Sequence, residues 1–294
     1  MPHPAPTKIL FNAGGLDLSA QELKPEGRAP RATIIALHGG GYTGAYWHHA
    51  ALPDASLLTL GGNLGYRVIA LDRPGYGASA AHCYGMVLDD QAQMMHGLIT
   101  ALARNGDIGA GICLIGHSMG GILALMTAAR LSGTLLVALD VSGVPRHFSD
   151  ILTRSVDATV EGSPPKAQVG SAATLFYGPP VSFPASLISN DPAAAPCPLP
   201  ELSDSRSWPD RFPDIAARIA VPVQYTLGEH ETVTACDWKA LKGTAALFSA
   251  APRVVVHRQV DAGHNISLHH VGRAYHLRAL AFFDEALSAA SATR

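Results

Sequence analysis

One serine lies between two glycines in the segment Gly-His-Ser-Met-Gly at 116–120, where a strand-like apolar run ends and an Ala-rich apolar run begins. The pattern Gly-x-Ser-x-Gly is typical of a nucleophilic serine on a sharp strand-to-helix turn. The turn is so tight that side chains at the glycine positions would collide with the neighbouring strand and helix. Chance alone supplies roughly 0.2 such matches in a chain of this composition, so the strand–turn–helix context carries the interpretation. Ser118 is the candidate nucleophile.

A serine hydroxyl is a poor nucleophile at neutral pH, so it needs a general base, and that base needs an orienting acid. His264 is the candidate base, because it follows the last predicted strand in a glycine-containing loop. Glu231, just beyond the preceding predicted strand, is the candidate acid. The chain order Ser118, Glu231, His264 is typical of triads built on a strand–turn–helix nucleophile. Asp140, at the end of an earlier strand, and Glu229 remain alternative acids.

Acyl transfer also needs N–H donors for the negative charge that develops on a carbonyl oxygen during attack. The segment LHGGGY at 37–42 follows the first strongly apolar strand, and its glycines let backbone amides approach a ligand closely. Gly40 is the first candidate donor and Gly41 the second, while Met119, directly after the nucleophile, is the candidate for the other donor. His38 is predicted to brace this loop by hydrogen bonding.

The elements that must position these residues follow from the apolar pattern. Apolar, β-branched segments predict strands at 31–40, 65–75, 110–116, 134–143, 221–231 and 252–265. Apolar residues at helical spacing predict helices at 86–106, 120–133 and 267–290. This alternation predicts an α/β fold whose parallel sheet is covered by helices on both faces. The Pro-rich start at 1–6 and the tail at 288–294 are predicted to be disordered.

The alternation stops between 144 and 215, where the chain is rich in Pro, Ser, Ala and Asp. Such an irregular segment inside an α/β sheet is usually functional. We therefore predict a cap over 144–215, inserted into a core formed by 1–143 and 216–294; the alternative is a surface insertion without a function. Aromatic residues here and in the glycine loop either line a substrate pocket or form a small core of their own: Tyr42, Tyr46, Trp47, Phe176, Tyr177, Phe183 and Trp208.

Composition limits the classes of protein and ligand. Of 294 residues, 48% are hydrophobic and 15% charged, as in a globular domain with ample core material. A formal net charge of −2 without a basic run argues against nucleic-acid binding. Four irregularly spaced cysteines, no signal-peptide pattern and no membrane-length apolar run predict a cytoplasmic protein. The adjacent histidine pairs at 48–49 and 269–270 cannot easily chelate a metal, and no phosphate-binding glycine loop occurs, so no metal or other cofactor is predicted.

Five short motifs occur in the order found in one family: LHGGG, LDRPGYGAS, GHSMGG, LGEHETV and DAGHN. Together they make the chain resemble the α/β-hydrolase family over residues 31–290. The resemblance implies an eight-stranded, mostly parallel sheet with a cap inserted after strand six, which is where the Pro-rich segment falls. The motif at 71–79 matches the family's loop after its fourth strand and marks architecture. Many members place an aspartate where this chain has Glu231.

These residues predict a serine hydrolase that cleaves a carboxylic ester, lactone or thioester through an acyl-enzyme on Ser118. Two enzyme alternatives share the machinery: an acyltransferase or cyclase, in which another nucleophile replaces water, and a C–C bond hydrolase or lyase. A non-catalytic ligand-binding member of the family is the alternative of another class. The expected partner is a small-molecule substrate, with no nucleic acid and no membrane span. The sequence sets neither the substrate nor the oligomeric state.

Overall fold

An eight-stranded sheet runs through the molecule in the computed structural model, which describes residues 5–13, 16–83, 85–106, 108–131, 135–162 and 175–292. The strands are β1 (Thr7–Ala13), β2 (Leu16–Leu23), β3 (Thr33–Leu37), β4 (Arg67–Leu71), β5 (Ile112–His117), β6 (Leu136–Ser142), β7 (Val223–Gly228) and β8 (Val254–Gln259). Their spatial order is β1-β2-β4-β3-β5-β6-β7-β8. β2 pairs antiparallel with β1 and β4, and every other neighbouring pair is parallel. The predicted eight-stranded, mostly parallel sheet is confirmed.

The parallel strands are apolar because helices cover both faces of the sheet. Every residue of β3, β4, β5, β6 and β7 is buried, as expected of a sheet covered on both sides. Buried and less buried residues alternate in β2, and the described side chains of β1 are mostly exposed. The edge strand β1 and its neighbour β2 are absent from the strands predicted from the residues, because neither is a continuous apolar run.

The helices of the described residues are α1 (Leu57–Asn63), α2 (Ala80–Cys83), α3 (Leu88–Arg104), α4 (Met119–Ala128), α5 (Asp150–Val160), α6 (Ser186–Ser189), α7 (Leu199–Ser205), α8 (Trp208–Ala216), α9 (Trp238–Ala245) and α10 (Gly272–Ala292). Ile35 and Leu37 of β3 belong to one core cluster, with apolar residues of α3, α4, α8 and α9. Ile34 and Ala36 belong to the other, with residues of α1 and α10. Because successive strand residues point to opposite faces, the two clusters lie on opposite sides of the sheet.

The predicted helices at 86–106, 120–133 and 267–290 correspond to α3, α4 and α10. The prediction for the C-terminal tail is wrong over most of its length, because α10 continues to Ala292. Most of the start predicted to be disordered, 1–6, lies outside the described residues, and β1 begins directly after it at Thr7. The Ala-rich tail extends a helix whose preceding turns are anchored by buried residues such as Phe283 and Leu287, and alanine favours helix strongly.

The segment between β6 and β7 contains α5, α6, α7 and α8, whereas the prolines predict irregular chain. Proline occupies the first turn of both α7 and α8, where its missing N–H would have no helical partner anyway. Residues 163–174 of the predicted cap lie outside the described residues. Trp208 and Phe212 of α8 are buried in the same core cluster as Ile122 of α4. This end of the segment therefore packs on the sheet's own helices.

Candidate active site

Ser118 occupies the sharp turn between β5 and α4. Its backbone has φ 51° and ψ −119°, a conformation that residues with a side chain rarely adopt. Its N–H donates to the carbonyl oxygen of Ser142 on β6 over 2.8 Å, which fixes the residue in this conformation. A Cβ at Gly116 would lie 2.5 Å from the carbonyl oxygen of Gly120, and one at Gly120 would overlap the carbonyl oxygen of Leu37. The close approach of β5, α4 and the end of β3 therefore requires both glycines.

His264 and Glu231 reach Ser118 from the loops after β8 and β7. Nε2 of His264 lies 2.9 Å from Oγ of Ser118, and Nδ1 lies 3.0 and 2.9 Å from the two carboxylate oxygens of Glu231. Oε1 of Glu231 also accepts the backbone N–H groups of Thr232 and Val233 at 3.0 and 2.9 Å. The His264 and Glu231 side chains are almost fully buried. The three residues thus form one chain of hydrogen bonds.

Asp140 lies apart from this chain of hydrogen bonds. Its carboxylate is fully buried and accepts the Tyr275 hydroxyl at 2.6 Å and the side-chain amide of Gln224. Burial raises the pKa of Asp140 to about 6, although these two hydrogen bonds act in the opposite direction. Glu229 pairs with the guanidinium of Arg258 at 3.2 Å. Within the described part of the chain, neither carboxylate hydrogen-bonds to the site histidine.

The glycine loop after β3 passes close to the residue that follows the nucleophile. A Cβ at Gly40 would lie 3.2 Å from Cγ of Met119, so the two candidate N–H donors belong to adjacent pieces of backbone. Met119 is the first residue of α4, and its N–H therefore has no carbonyl acceptor one helical turn earlier. Gly41, the second candidate in the loop, has φ 82°, which glycine adopts without strain.

Two backbone hydrogen bonds tie the glycine loop to the segment inserted between β6 and β7. The N–H of Ala195 donates to the carbonyl oxygen of Gly41, and the N–H of Thr43 donates to the carbonyl oxygen of Ala193, both over 2.9 Å. Together they form an isolated antiparallel bridge at the centre of the two segments. The inserted segment therefore fixes the path of the loop that carries the candidate N–H donors.

The buried side chains of His38, Arg73 and Glu201 form a set of hydrogen bonds at the start of the same loop. His38 accepts the backbone N–H of Arg73 on Nε2 at 3.1 Å, and its Nδ1 donates to the carbonyl oxygen of Gly39 at 2.8 Å. Nε of Arg73 donates to the carbonyl oxygen of His38 at 2.7 Å, and its Nη1 pairs with Glu201 of α7. Burial and the adjacent Arg73 charge hold the pKa of His38 well below its usual value, so the ring is neutral. This geometry agrees with the bracing role predicted for His38.

A cavity of about 600 Å³ opens above Ser118. One wall is apolar and comes from α4, α5, α7 and the loop before α5: Met119, Ile122, Phe148, Leu152, Val156 and Leu202. The other wall carries polar groups: Tyr42, Tyr177, Asp191 and Asn265, beside Phe176. Three of the seven aromatic residues considered above, Tyr42, Phe176 and Tyr177, thus line the cavity. Tyr46, Trp47, Phe183 and Trp208 are buried in the two core clusters or against them.

The sequence and the fold both match those of known proteins. A model of the Alpha/beta hydrolase family matches residues 34–276. The chain belongs to the α/β hydrolase family. It is 31% identical over 242 residues to the probable protein phosphatase methylesterase 1 of Caenorhabditis elegans, covering 76% of this chain and 56% of that protein. The chain therefore spans about half the length of that relative.

Two solved structures share the fold of this α/β hydrolase. The monoglyceride lipase of Saccharomyces cerevisiae superimposes with a TM-score of 0.72 at 15% identity, covering 96% of both chains. The carboxyl esterase of Bacillus coagulans superimposes with a TM-score of 0.70 at 17% identity, covering 97% of this chain and 99% of that one. The family match confirms the resemblance that the five sequence motifs indicate. Over the described residues, this α/β hydrolase has no helix with the length and apolar character of a membrane span.

His117 of this α/β hydrolase lies directly beneath the candidate base. Its ring stacks on Tyr46 with centroids 4.9 Å apart, and lies 4.8 Å from the ring of His264. Its Nε2 is 3.1 Å from Oδ1 of Asn265, and its Nδ1 is 3.2 Å from Oγ of Ser142. Burial holds the pKa of His117 well below its usual value. The neutral ring therefore adds no positive charge beside His264.

One cluster in the described residues has donor atoms close enough to hold a metal ion: Glu229, His230 and Asp261, within 4.8 Å of one another. The Glu229 carboxylate is already bonded to Arg258 at 3.2 Å and to the backbone N–H of Asp261 at 3.2 Å. A bound cation would have to compete with that guanidinium, so this hydrogen-bonding arrangement does not favour a metal. That the protein needs no metal stays a prediction.

Four residues around the site were beyond prediction from local pattern: Arg73, Glu201, Asp191 and Asn265. Arg73 stands in the RPGYG motif, and Asn265 directly follows the candidate base, so each had a neighbouring signal. Glu201 and Asp191 lie in the Pro-rich segment, where no motif marks them. Their roles depend on contacts with residues more than 100 positions away.

Proposed function

We propose that this hydrolase is a serine esterase that cleaves carboxylic esters through an acyl-enzyme on Ser118. The observation that carries the proposal is the chain of hydrogen bonds from Oγ of Ser118 through His264 to Glu231 beneath a largely apolar cavity. Such a chain activates a hydroxyl by providing a base in the correct tautomer. A ligand-binding protein would gain nothing from an oriented base below its pocket.

In the acylation step, Oγ of Ser118 attacks the ester carbonyl carbon while Nε2 of His264 takes the hydroxyl proton. The carboxylate of Glu231 accepts a hydrogen bond from Nδ1–H of His264 and stabilises the imidazolium that forms. The carboxylate is itself fixed by the N–H groups of Thr232 and Val233, so it needs little reorganisation during the reaction. The imidazolium then gives its proton to the leaving alcohol oxygen as the C–O bond breaks.

The carbonyl oxygen becomes an oxyanion during attack and requires donors placed in advance. The N–H groups of Gly40 and Met119 are the proposed donors, with Gly41 as the alternative in the loop. The N-terminus of α4 directs its positive dipole end at the same point. Loss of one such donor typically lowers kcat by about 10²–10³.

In the deacylation step, His264 takes a proton from water, and the resulting hydroxide adds to the acyl carbon. Collapse of the second tetrahedral intermediate releases the carboxylic acid and returns the proton to Ser118. The same steps would serve a thioester or a lactone. We favour a carboxylic ester, because the relatives named above are a methylesterase, a monoglyceride lipase and a carboxyl esterase.

The four cysteines are all unpaired, and Cys83 and Cys113 are buried. Free thiols suit a reducing compartment, and this supports the proposal that the protein acts in the cytoplasm. The substrate we propose is a small molecule that enters the cavity of about 600 Å³. A cavity of this size is typical of sites for small-molecule ligands.

A fluorophosphonate probe tests the assignment, because it forms a covalent bond only with an activated serine. Wild type and the control variant Ser288→Ala, on the exposed side of α10, should be labelled, and Ser118→Ala should not. Hydrolysis of p-nitrophenyl butyrate should follow the same pattern. Labelling that persists in Ser118→Ala would show that another residue is the nucleophile.

A further inference from the structure

A continuous chain of hydrogen bonds follows the polar wall of the cavity. Nδ2 of Asn265 donates to the Tyr42 hydroxyl at 3.0 Å, and the Tyr42 and Tyr177 hydroxyls lie 2.7 Å apart. The Tyr177 hydroxyl in turn lies 3.4 Å from Oδ2 of Asp191, and Oδ1 of Asp191 lies 2.8 Å from Nε2 of His49. All of these residues except His49 line the cavity. Polar atoms are therefore concentrated on one side of a site that is otherwise apolar.

Each hydroxyl in this chain of hydrogen bonds donates toward Asp191, and one carboxylate oxygen of Asp191 can accept a further hydrogen bond. Asn265 donates to Tyr42, so the Tyr42 hydroxyl is free to donate to Tyr177, and the Tyr177 hydroxyl donates to Asp191. Oδ1 of Asp191 is used by His49 and by the N–H of Ala193 at 2.8 Å. Among the described residues, Oδ2 accepts only the long 3.4 Å bond from Tyr177, which is weak by ordinary criteria. An incoming hydroxyl could make a shorter bond to this oxygen.

The chemistry of the triad decides which part of an ester meets the polar wall. The leaving alcohol oxygen must lie near Nε2 of His264, because it receives its proton there. Asn265 directly follows His264 and begins the chain of hydrogen bonds, and the ring of Phe176 lies 5.5 Å from the His264 ring. The polar wall is thus on the alcohol side. The apolar wall of α4, α5 and α7 is left for the acyl chain.

We propose that Tyr42, Tyr177 and Asp191 form a subsite for a hydroxylated alcohol group, so that the preferred substrates are esters of an aliphatic acid with a polyol. This inference rests on the proposed esterase function and names its substrate class. The Asp191 oxygen and the two tyrosine hydroxyls offer both acceptors and donors, which a vicinal diol can match. Oδ1 of Asp191 is engaged by the His49 ring and by the N–H of Ala193, so Oδ2, beside the Tyr177 hydroxyl, is left for a hydroxyl group that can both donate and accept.

The expected preference is moderate. The polar side chains already form hydrogen bonds with one another, so none of them loses its partner when an alkyl ester binds. The large difference in kcat/KM that buried unpaired groups would cause is therefore not expected here. A hydroxylated alcohol replaces one long hydrogen bond with shorter ones. We expect about a tenfold higher kcat/KM for the hydroxylated ester, the scale of one net hydrogen bond.

The test compares two esters that share an acyl chain and differ only in hydroxyl groups: 1-octanoylglycerol and propyl octanoate. Wild type should prefer the glycerol ester by about tenfold in kcat/KM. In Tyr177→Phe and in Asp191→Asn this ratio should fall to near one. The control Tyr66→Phe removes a hydroxyl that bonds to Asp284, away from the cavity, and should keep the wild-type ratio. Tyr177→Phe leaves the Asp191–His49 pair intact, so it remains informative if Asp191→Asn does not fold.

Other results would overturn the subsite. Equal kcat/KM values for the two esters in wild type would do so, as would a ratio that persists in both Tyr177→Phe and Asp191→Asn. Preference for the choline ester octanoylcholine over both of these esters, lost in Asp191→Asn, would show that the carboxylate selects a cation instead. If neither ester is hydrolysed but a fluorophosphonate labels Ser118, the subsite is wrong and the nucleophile stands. If labelling also fails, the esterase function itself is wrong.

Discussion

Arg73 and Glu201 form an ion pair with 2.7 Å between Nη1 and Oε1, and neither side chain is exposed to solvent. Arg73 follows β4 and also donates to the carbonyl oxygen of His38 at the start of the glycine loop. Glu201 lies on α7, in the segment inserted between β6 and β7. The pair therefore joins the inserted segment to the base of the loop that carries the proposed oxyanion donors.

Removing the charge of Glu201 should destabilise the protein strongly. Glu201→Gln would leave the guanidinium of Arg73 buried without a counter-charge, and breaking such a pair typically costs about 3–5 kcal/mol. Urea unfolding measures the change. Glu285→Gln is the matched control, because Glu285 pairs with Arg253 on the surface and such pairs contribute at most about 1 kcal/mol. Equal effects of the two substitutions would contradict the structural role given to the buried pair.

Two substitutions separate the candidate acids. Glu231→Gln should lower kcat by about 10⁴, because a neutral amide neither fixes the tautomer of His264 nor stabilises its charged form. Asp140→Asn should keep kcat within about tenfold, since Asp140 hydrogen-bonds to Tyr275 and Gln224 and not to His264. Steady-state kinetics on p-nitrophenyl butyrate distinguish the two cases. The reverse order of effects would make Asp140 the acid.

A side chain on the glycine loop should impair the chemical step. The Cβ of Gly40→Ala would lie 3.2 Å from Cγ of Met119, so either the Met119 side chain or the loop must move by a few tenths of an ångström. Displacement of one oxyanion donor should lower kcat by about 10²-fold while KM changes little. Gly97→Ala on α3 is the control, because a Cβ there meets no atom within 4 Å. A Gly40→Ala variant with wild-type kcat would exclude this part of the loop from the oxyanion site.

The buried Asp140 should make stability depend on pH. Burial disfavours the charged carboxylate and raises the pKa of Asp140 from its ordinary value of 3.8 to about 6 in the folded protein. The folded state prefers the protonated form, so this contribution is complete below the lower pKa and is lost as the pH rises through the higher one. Relative to Asp140→Asn, the free energy of unfolding of wild type should fall by about 2 kcal/mol from pH 4 to pH 7. Parallel stability curves for the two proteins would show that the carboxyl titrates normally.

The parts of the fold that could be predicted are those set by local pattern. The apolar runs of β3 to β8 and the glycines around Ser118 carry their own signal, because a covered parallel strand and a tight turn each constrain the residues that form them. β1 and β2 lack such a signal, since the edge strand β1 is mostly exposed and β2 alternates buried with less buried residues. The helices α7 and α8 could not be predicted because their segments contain prolines, and each helix has one of these prolines in its first turn, where proline is tolerated.

The candidate site shows the same division. Ser118, His264 and Glu231 could be proposed from their positions after predicted strands, because the carboxyl ends of parallel strands meet at one edge of the sheet. Asp140 also follows this rule approximately, and only its hydrogen bonds to Gln224 and Tyr275 separate it from Glu231. Tyr177 and Asp191 meet Tyr42 and His49 across more than 130 residues of sequence, and no local pattern reports such contacts.

The two backbone hydrogen bonds between Ala193–Ala195 and the glycine loop have a consequence for engineering. Exchange of the inserted segment for that of another hydrolase is an obvious way to change substrate choice. In this protein such a graft would also remove the backbone segment that borders the glycine loop, and turnover would fall for every ester, new or old. A chimaera should therefore retain 175–201, because the carbonyl groups of Leu175 and Phe176 also accept hydrogen bonds from Thr232 and Asn265 in the loops of Glu231 and His264. Replacing only the part around α5 would redesign the acyl wall while these contacts are kept.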